Sequence, residues 1–299
     1  MRIYPMLIFT LAMQIVTACD VNSRKTAESL FWTVPDEIDT YNFKKPDAKY
    51  FLPSVLEEVS ALSYAGNGLI ACVQDEEGKV FLYNHKTQRL ERTIRFEGSG
   101  DFEGVEVVGD DIYAVKSNGT LYKFKLDTEE EKVRAKEIKT PLSKSNDVEG
   151  LAYDPKTEEL ILACKGDGDL EDDKVKGRAF YRYEVDDQDF KKKPLFNITR
   201  GDIKRFLESQ IDFEYEENRI NFRPSGIALH PKQDLFYIIA STGKLLLIVD
   251  KDGKIKGSVP IDPRLLGQPE GICFAPNGDL FISSEGQGDK GYILKFNMR

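Results

Sequence analysis

Five short stretches of this sequence set a carboxylate or a hydroxyl directly before a small residue, at the opening of an apolar run. They are Ser60-Ala61, Glu103-Gly104, Glu149-Gly150, Ser225-Gly226 and Glu270-Gly271. Oxygen-bearing side chains that recur at one position of a repeat converge if the repeats surround an axis. Carboxylates brought together repel, and the conflict ends when one takes up a proton or a cation settles among them. Calcium accepts about six to eight oxygen ligands, whereas zinc prefers nitrogen and sulfur. The expected cofactor is therefore calcium, with Glu103, Glu149 and Glu270 as metal ligands and Ser60, Ser225, Asp75 and Glu285 as further ligands or rim.

Nucleophilic chemistry is poorly provided for. There is no Gly-x-Ser-x-Gly elbow. The two histidines, His85 and His230, fall in turns expected on the face opposite the Glu-Gly pairs and read as surface residues, which excludes a Ser-His triad. The run "DGDLEDD" at 167–173 alternates acids as a calcium loop does, but it lacks the glycine and terminal glutamate spacing of an EF-hand and reads as a solvated loop.

The elements that position these residues repeat. Segments opening at Glu58, Asp101, Asp147, Arg223 and Gln268 each read as strand, turn, strand, Gly-containing loop and strand, as in "QPEGICFAPNGDLFISSEGQGDKGYILKF". A fourth strand follows most of them, such as "RLERTIRF" or "KIKGSVPI". Four short strands at a period of about 45 residues make a β-propeller blade. The expected fold is all-β, a five-bladed propeller over residues 39–299 with the Glu-Gly position at the start of each innermost strand. Small residues are required there because neighbouring backbones approach closely near the axis. The loop from second to third strand lies on the same face, and "QDEEG", "KGDGDLEDD" and "SEGQGD" make it acidic through Asp75, Asp167, Asp169 and Glu285. The longer gap before Arg223 holds "GDIKRFLESQI", apolar at helical spacing with Thr199 or Asp202 as N-cap. It reads as a short helical insertion between blades 3 and 4. The last repeat ends after its third strand and would expose an edge. An N-terminal strand from "TYNFKKPDAKYFLP", most plausibly Tyr41 to Phe43, is expected to close it.

The chain has 299 residues and a formal charge of −9, which argues against nucleic acid as a partner. One cation, Arg2, precedes an apolar run from Tyr4 to Val16 that ends in Val16-Thr17-Ala18-Cys19. That has the form of a lipoprotein signal peptide at 1–18, with Cys19 as the lipidated residue and 19–38 as a tether. The expected localisation is the bacterial cell envelope, anchored to the membrane by the N-terminal lipid. Cys72, Cys164 and Cys273 remain, an odd number within strand-like runs, and read as buried core residues.

The ordered motifs "VSALSY", "DFEGVEV", "DVEGLAYDP", "RPSGIALHP" and "QPEGICFAPNGDLFISSEG" resemble the SdiA-regulated family of bacterial β-propellers, distant relatives of NHL-repeat proteins. The resemblance implies a five-bladed propeller and a calcium site, carried here to Glu103, Glu149 and Glu270. Acidic loop ends found in some repeats of that family are replaced by Lys116 and Ser241. Two functions follow. One is a binding or scaffold protein whose acidic face takes a small molecule, a glycan or a protein. The alternative is a metal-dependent lactonase- or esterase-like hydrolase with Glu285 or Asp75 as base.

Overall fold

Runs such as Leu69–Gln74 and Glu159–Cys164 are apolar without alternation, because each of these strands is covered on both faces by a neighbouring sheet. An outer strand such as Arg89–Ser99 instead shows exposed residues alternating with covered ones. The computed structural model describes residues 34–36, 38–171, 173–210 and 220–299. The signal peptide, Cys19 and most of the expected tether lie outside the described residues.

Strand β1 is Ala48–Phe51. Blade 1 comprises β2 (Val59–Gly66), β3 (Leu69–Gln74), β4 (Glu77–Asn84) and β5 (Arg89–Ser99). Blade 2 comprises β6 (Phe102–Val108), β7 (Asp111–Lys116), β8 (Leu121–Lys125) and β9 (Lys136–Ile138). Blade 3 comprises β10 (Val148–Asp154), β11 (Glu159–Cys164), β12 (Arg178–Glu184) and β13 (Asp189–Ile198). Blade 4 comprises β14 (Gly226–Leu229), β15 (Phe236–Ala240), β16 (Leu245–Val249) and β17 (Ile255–Pro260). Blade 5 comprises β18 (Pro269–Phe274), β19 (Leu280–Ser284) and β20 (Tyr292–Phe296). The result is five four-stranded antiparallel sheets, a five-bladed propeller.

The fourth strand of blade 5 is β1, paired antiparallel to β20 from Ala48↔Lys295 to Phe51↔Tyr292. The ring closes through the N-terminal segment, but not through Tyr41 to Phe43. Those residues are bulky and apolar, and they are used beneath the ring: Tyr41 is buried in the core shared by blades 4 and 5, and Phe43 packs against the same core. Val34 and Ile38 also pack there. The strand proper alternates partly covered and exposed residues, as an outermost strand should.

Each pair of neighbouring blades has its own core. Blades 3 and 4, for example, share Phe180, Phe196, Ile227 and Phe236, and blades 5 and 1 share Leu62, Phe81, Cys273 and Phe281. Removing a ring such as Phe281 would cost about 3–5 kcal/mol and loosen a contact that closes the ring. Cys72, Cys164 and Cys273 are free and buried in these interfaces, as expected. Helix α1 (Arg200–Gln210) follows blade 3 and lays Ile203 and Leu207 on the core between blades 3 and 4. Thr199 caps it: its hydroxyl accepts from the Asp202 N–H at 3.1 Å while the Asp202 carboxylate accepts from the Thr199 N–H at 2.8 Å.

The small residue after each Ser or Glu is forced by the next blade. A side chain at Gly226 would come within 2.3 Å of the Glu270 carbonyl oxygen, and one at Gly271 within 2.9 Å of the Leu62 nitrogen. Even alanine at Gly226 would have to push two inner strands apart.

A carboxylate-lined mouth of the channel

The Glu-Gly pairs sit where the inner strands leave register with their partners. The ladder slips between Val59 and Ala61, Phe102 and Gly104, Val148 and Gly150, and Pro269 and Ile272. Ser60, Glu103 and Glu149 are the residues skipped in blades 1 to 3, and Glu270 with Gly271 in blade 5. A bulge of this kind re-aims a side chain, and here it does so at one mouth of the channel.

The five positions do not behave alike. The Ser60 hydroxyl donates to the Phe102 carbonyl of blade 2 at 2.7 Å, and the Ser225 hydroxyl donates to the Pro269 carbonyl of blade 5 at 2.7 Å. Ser225 also accepts from the Ser241 N–H at 3.1 Å. Both serines therefore tie one blade to the next. An ionised glutamate in the same place has no hydrogen to give, so blades 2, 3 and 5 carry an electrostatic load that blades 1 and 4 do not.

Glu149 and Glu270 are 7% and 6% exposed. Burial, then the charge of Glu149, pushes Glu103 up to about 10. Burial holds Glu149 at about 7 against the opposing pull of Lys165. Burial and Glu149 raise Glu270 to about 8. Glu285, on the loop after β19, is lifted to about 7 by burial and by Asp75 and Glu58. The Glu270 and Glu285 carboxylates both bond the Gln268 side chain. Asp75 is also raised, mainly by burial, and its Oδ1 is a buried oxygen with no hydrogen-bond partner. Glu103, Glu149, Glu270, Glu285 and Asp75 thus share one electrostatic neighbourhood.

Sequence reasoning missed three members. Lys165, the first residue after β11, puts its ammonium 2.9 Å from Glu149 Oε1, and its own pKa is raised because the pairing outweighs burial. Asp101 shares a hydrogen bond with the Glu103 carboxyl and accepts from the Ser117 hydroxyl. Gln268 bridges Glu270 and Glu285. Asp101 and Gln268 occupy the position two before the Glu, where blade 3 has Asp147, so "DFEG", "DVEG" and "QPEG" carried the signal. Lys165 had only its place at the strand end, "LACKG".

Other acidic candidates are committed elsewhere. Asp169 accepts from Lys174 Nζ and from the Val175 N–H, each at 2.7 Å. The backbone carbonyls of Asp167 and Asp169 accept from Asn146 Nδ2 at 2.9 and 2.7 Å, so this loop is pinned through its main chain. Lys116 stacks over Phe102 and Tyr122, 4.9 and 5.1 Å from the ring centroids.

Both histidines overturn the surface reading. His230 is 1% exposed and His85 9% exposed. His230 Nδ1 accepts from the Lys232 and Gln233 N–H groups, which leaves Nε2 to donate to the Tyr41 oxygen at 2.8 Å. Tyr41 in turn donates to the Gly278 carbonyl. His85 packs 4.9 Å from Phe281 and 5.6 Å from Tyr50. The N-terminal segment that runs under the ring and closes it covers both turns.

The donors at the mouth are oxygens, which suits a hard cation in kind. Among the described residues, however, no three His, Cys, Asp or Glu side chains are gathered closely enough to hold a metal as they stand. Among the described residues, Lys165 supplies the close counter-charge of Glu149.

The class is a five-bladed β-propeller with a carboxylate-lined channel mouth. Within that class the match is to the SdiA-regulated family, whose model covers residues 38–167: the closing segment, blades 1 and 2, and the two inner strands of blade 3. No curated protein sequence matched the chain. Among solved structures, the glutaminyl cyclase of Myxococcus xanthus superposes with a TM-score of 0.53 at 13% identity, covering 85% of this chain and 95% of that one. A luciferin-regenerating enzyme superposes with a TM-score of 0.48 at 10% identity, covering 84% and 92%. The cyclase likeness supports the fold and, at 13% identity, the fold alone.

Proposed function

We propose that this protein is a lipid-anchored propeller of the bacterial cell envelope that binds calcium at the carboxylate-lined mouth and uses that mouth to take a ligand. The reading rests on one observation above all. Glu103, Glu149, Glu270 and Glu285 are held near one another with pKa values raised to about 10, 7, 8 and 7. Such a site gains free energy from any cation that enters it. Calcium is favoured over magnesium because it tolerates irregular cages of oxygens. Its entry requires the carboxylates to turn toward one another and Lys165 to release Glu149. The envelope location rests on the sequence of residues 1–19, and among the described residues no helix is long and apolar enough to cross a membrane.

Calcium that binds only the folded state raises stability by about 2.7 kcal/mol at a hundredfold excess over its dissociation constant. EDTA should lower the melting temperature, calcium should restore it, and magnesium should do less. Glu103→Gln, which removes a carboxylate that has no cation partner among the described residues, should weaken the calcium response without destabilising the metal-free protein. A melting temperature indifferent to EDTA and calcium would end this reading.

The hydrolase alternative keeps one argument. Glu285, raised to about 7, has the proton affinity of a general base at neutral pH. A screen of lactones and esters with and without calcium, repeated on Glu285→Gln, separates catalyst from binding module.

A further inference from the structure

A second cavity opens at the other end of the channel. It holds about 250 Å³ and is lined from three successive blades by Glu106 of β6, Tyr153 and Asp154 of β10, and Leu229 and His230 at the end of β14. Pro155, Pro231 and the lysines of both turns form its rim. At about 30 Å³ per water, this is room for a ligand of roughly eight heavy atoms.

Most of the charges around it resolve into pairs; Glu106 and the rim residue Lys232 do not. Asp154 is bonded by Lys251, and Asp234 is bonded by Lys251 at 2.8 Å and by Lys156 at 2.9 Å. His230 is locked neutral between two backbone N–H groups and Tyr41, and burial lowers its pKa to about 4. Glu106 is different. It is an acid within an apolar inner strand, with its Oε1 accepting from the Ser63 hydroxyl of blade 1 at 3.1 Å. Among the described residues no cation pairs with it, and no charged group contributes to the shift of its pKa, which burial raises to about 8. The remaining rim cation, Lys232, is exposed.

We propose that this cavity is a binding site for a small organic ammonium compound, with Glu106 as counter-ion and Tyr153, Leu229 and the two prolines as the apolar wall. A half-buried carboxylate that accepts from one hydroxyl and the Val107 N–H and has an open side calls for a cation. The wall calls for an alkyl body, and Tyr153 in that wall is an aromatic able to meet the charged head. A metal ion is disfavoured by the lone carboxylate, since no cluster of metal-binding side chains occurs among the described residues. The site shares no residue with the acidic mouth, so it stands whether or not calcium binds there.

The ammonium must displace the proton that Glu106 carries when the cavity is empty. Affinity should therefore rise almost tenfold for each pH unit between about pH 6 and pH 7.5, with uptake of the ligand releasing a proton to buffer. Pairing lowers the pKa of Asp234 and raises that of Lys251, away from that range, and His230 does not titrate in it. The test is calorimetric titration of the purified protein with n-butylammonium, and with n-butanol as its neutral counterpart. Butylammonium should bind with this pH dependence, and Glu106→Gln should weaken it at least tenfold while leaving butanol unchanged. Should Glu106→Gln fail to fold, Lys232→Glu adds a negative charge at the rim and should tighten butylammonium severalfold. Absence of butylammonium binding down to the millimolar range, binding without the pH dependence, or equal binding by Glu106→Gln overturns the proposal, as does Lys232→Glu without effect.

Discussion

Replacing Glu270 by Gln tests whether the acidic mouth stores electrostatic strain. The folded pKa of Glu270 is raised from 4.5 to about 8, by burial first and then by Glu149. A carboxyl raised on folding contributes stability that is complete below its unfolded pKa and is lost as the pH climbs through the folded one. Histidines work in the opposite sense: His230 is lowered to about 4, so it costs stability as the pH falls below about 6.5. The clean window therefore lies above the ordinary histidine pKa. Between about pH 6.5 and pH 8.5, a carboxyl with these two values loses roughly 2 kcal/mol of folding free energy. Glu103, raised further, adds to the same slope. The assay is urea denaturation in EDTA across that window. Wild-type stability should fall with rising pH. Glu270→Gln keeps the shape, removes one titrating charge, and should flatten the fall by about 2 kcal/mol, ending above wild type at the alkaline end. Calcium should flatten the wild-type curve as well, because it favours the ionised carboxylates. A wild-type curve that is level or rising in EDTA, or a variant that falls as steeply, refutes the reasoning.

Lys165→Met strips Glu149 of its ammonium and should cost about 2 kcal/mol in EDTA near pH 8, while enlarging the calcium-induced rise in melting temperature; an unchanged calcium response would mean that Lys165 and the metal do not compete. Deleting residues 20–33 should leave the melting temperature nearly unchanged, whereas deleting 20–52 removes β1 and the Tyr41 anchor and should lower it steeply; equal effects would contradict closure through β1. Cys19→Ser should release the protein from the membrane fraction of its host cell, and undiminished membrane association would exclude the lipid anchor.

The propeller was legible because its signal is periodic. Five copies of strand, turn, strand, loop and strand cannot arise from a helix pattern, and the small residue after Glu103, Glu149, Ser225 and Glu270 answers to backbone crowding that only converging strands create. What escaped was specific to single blades. Tyr41 and Phe43 look like strand residues by type, yet they are the ones large enough to fill the space under blades 4 and 5; the closing strand fell instead to "AKYF", whose alternation suits an edge. The histidines were misjudged for the same reason, since nothing local to "ALHPKQD" announces that a tyrosine from 189 residues upstream will cover it. Lys165 was invisible as a partner because a lysine after a strand is ordinarily a solvated turn residue. It becomes a counter-charge only where the bulge at Glu149 turns a carboxylate to meet it. Glu106 lies in the same motif, "DFEGVEV", but the repeat does not mark it: the other blades have Ser63, Ala152, Ala228 and Cys273 at that position. An acid inside an inner strand, two residues from its far end, is largely withdrawn from water. It must be neutral, paired or waiting for a cation, and among the described residues no cation is paired with it.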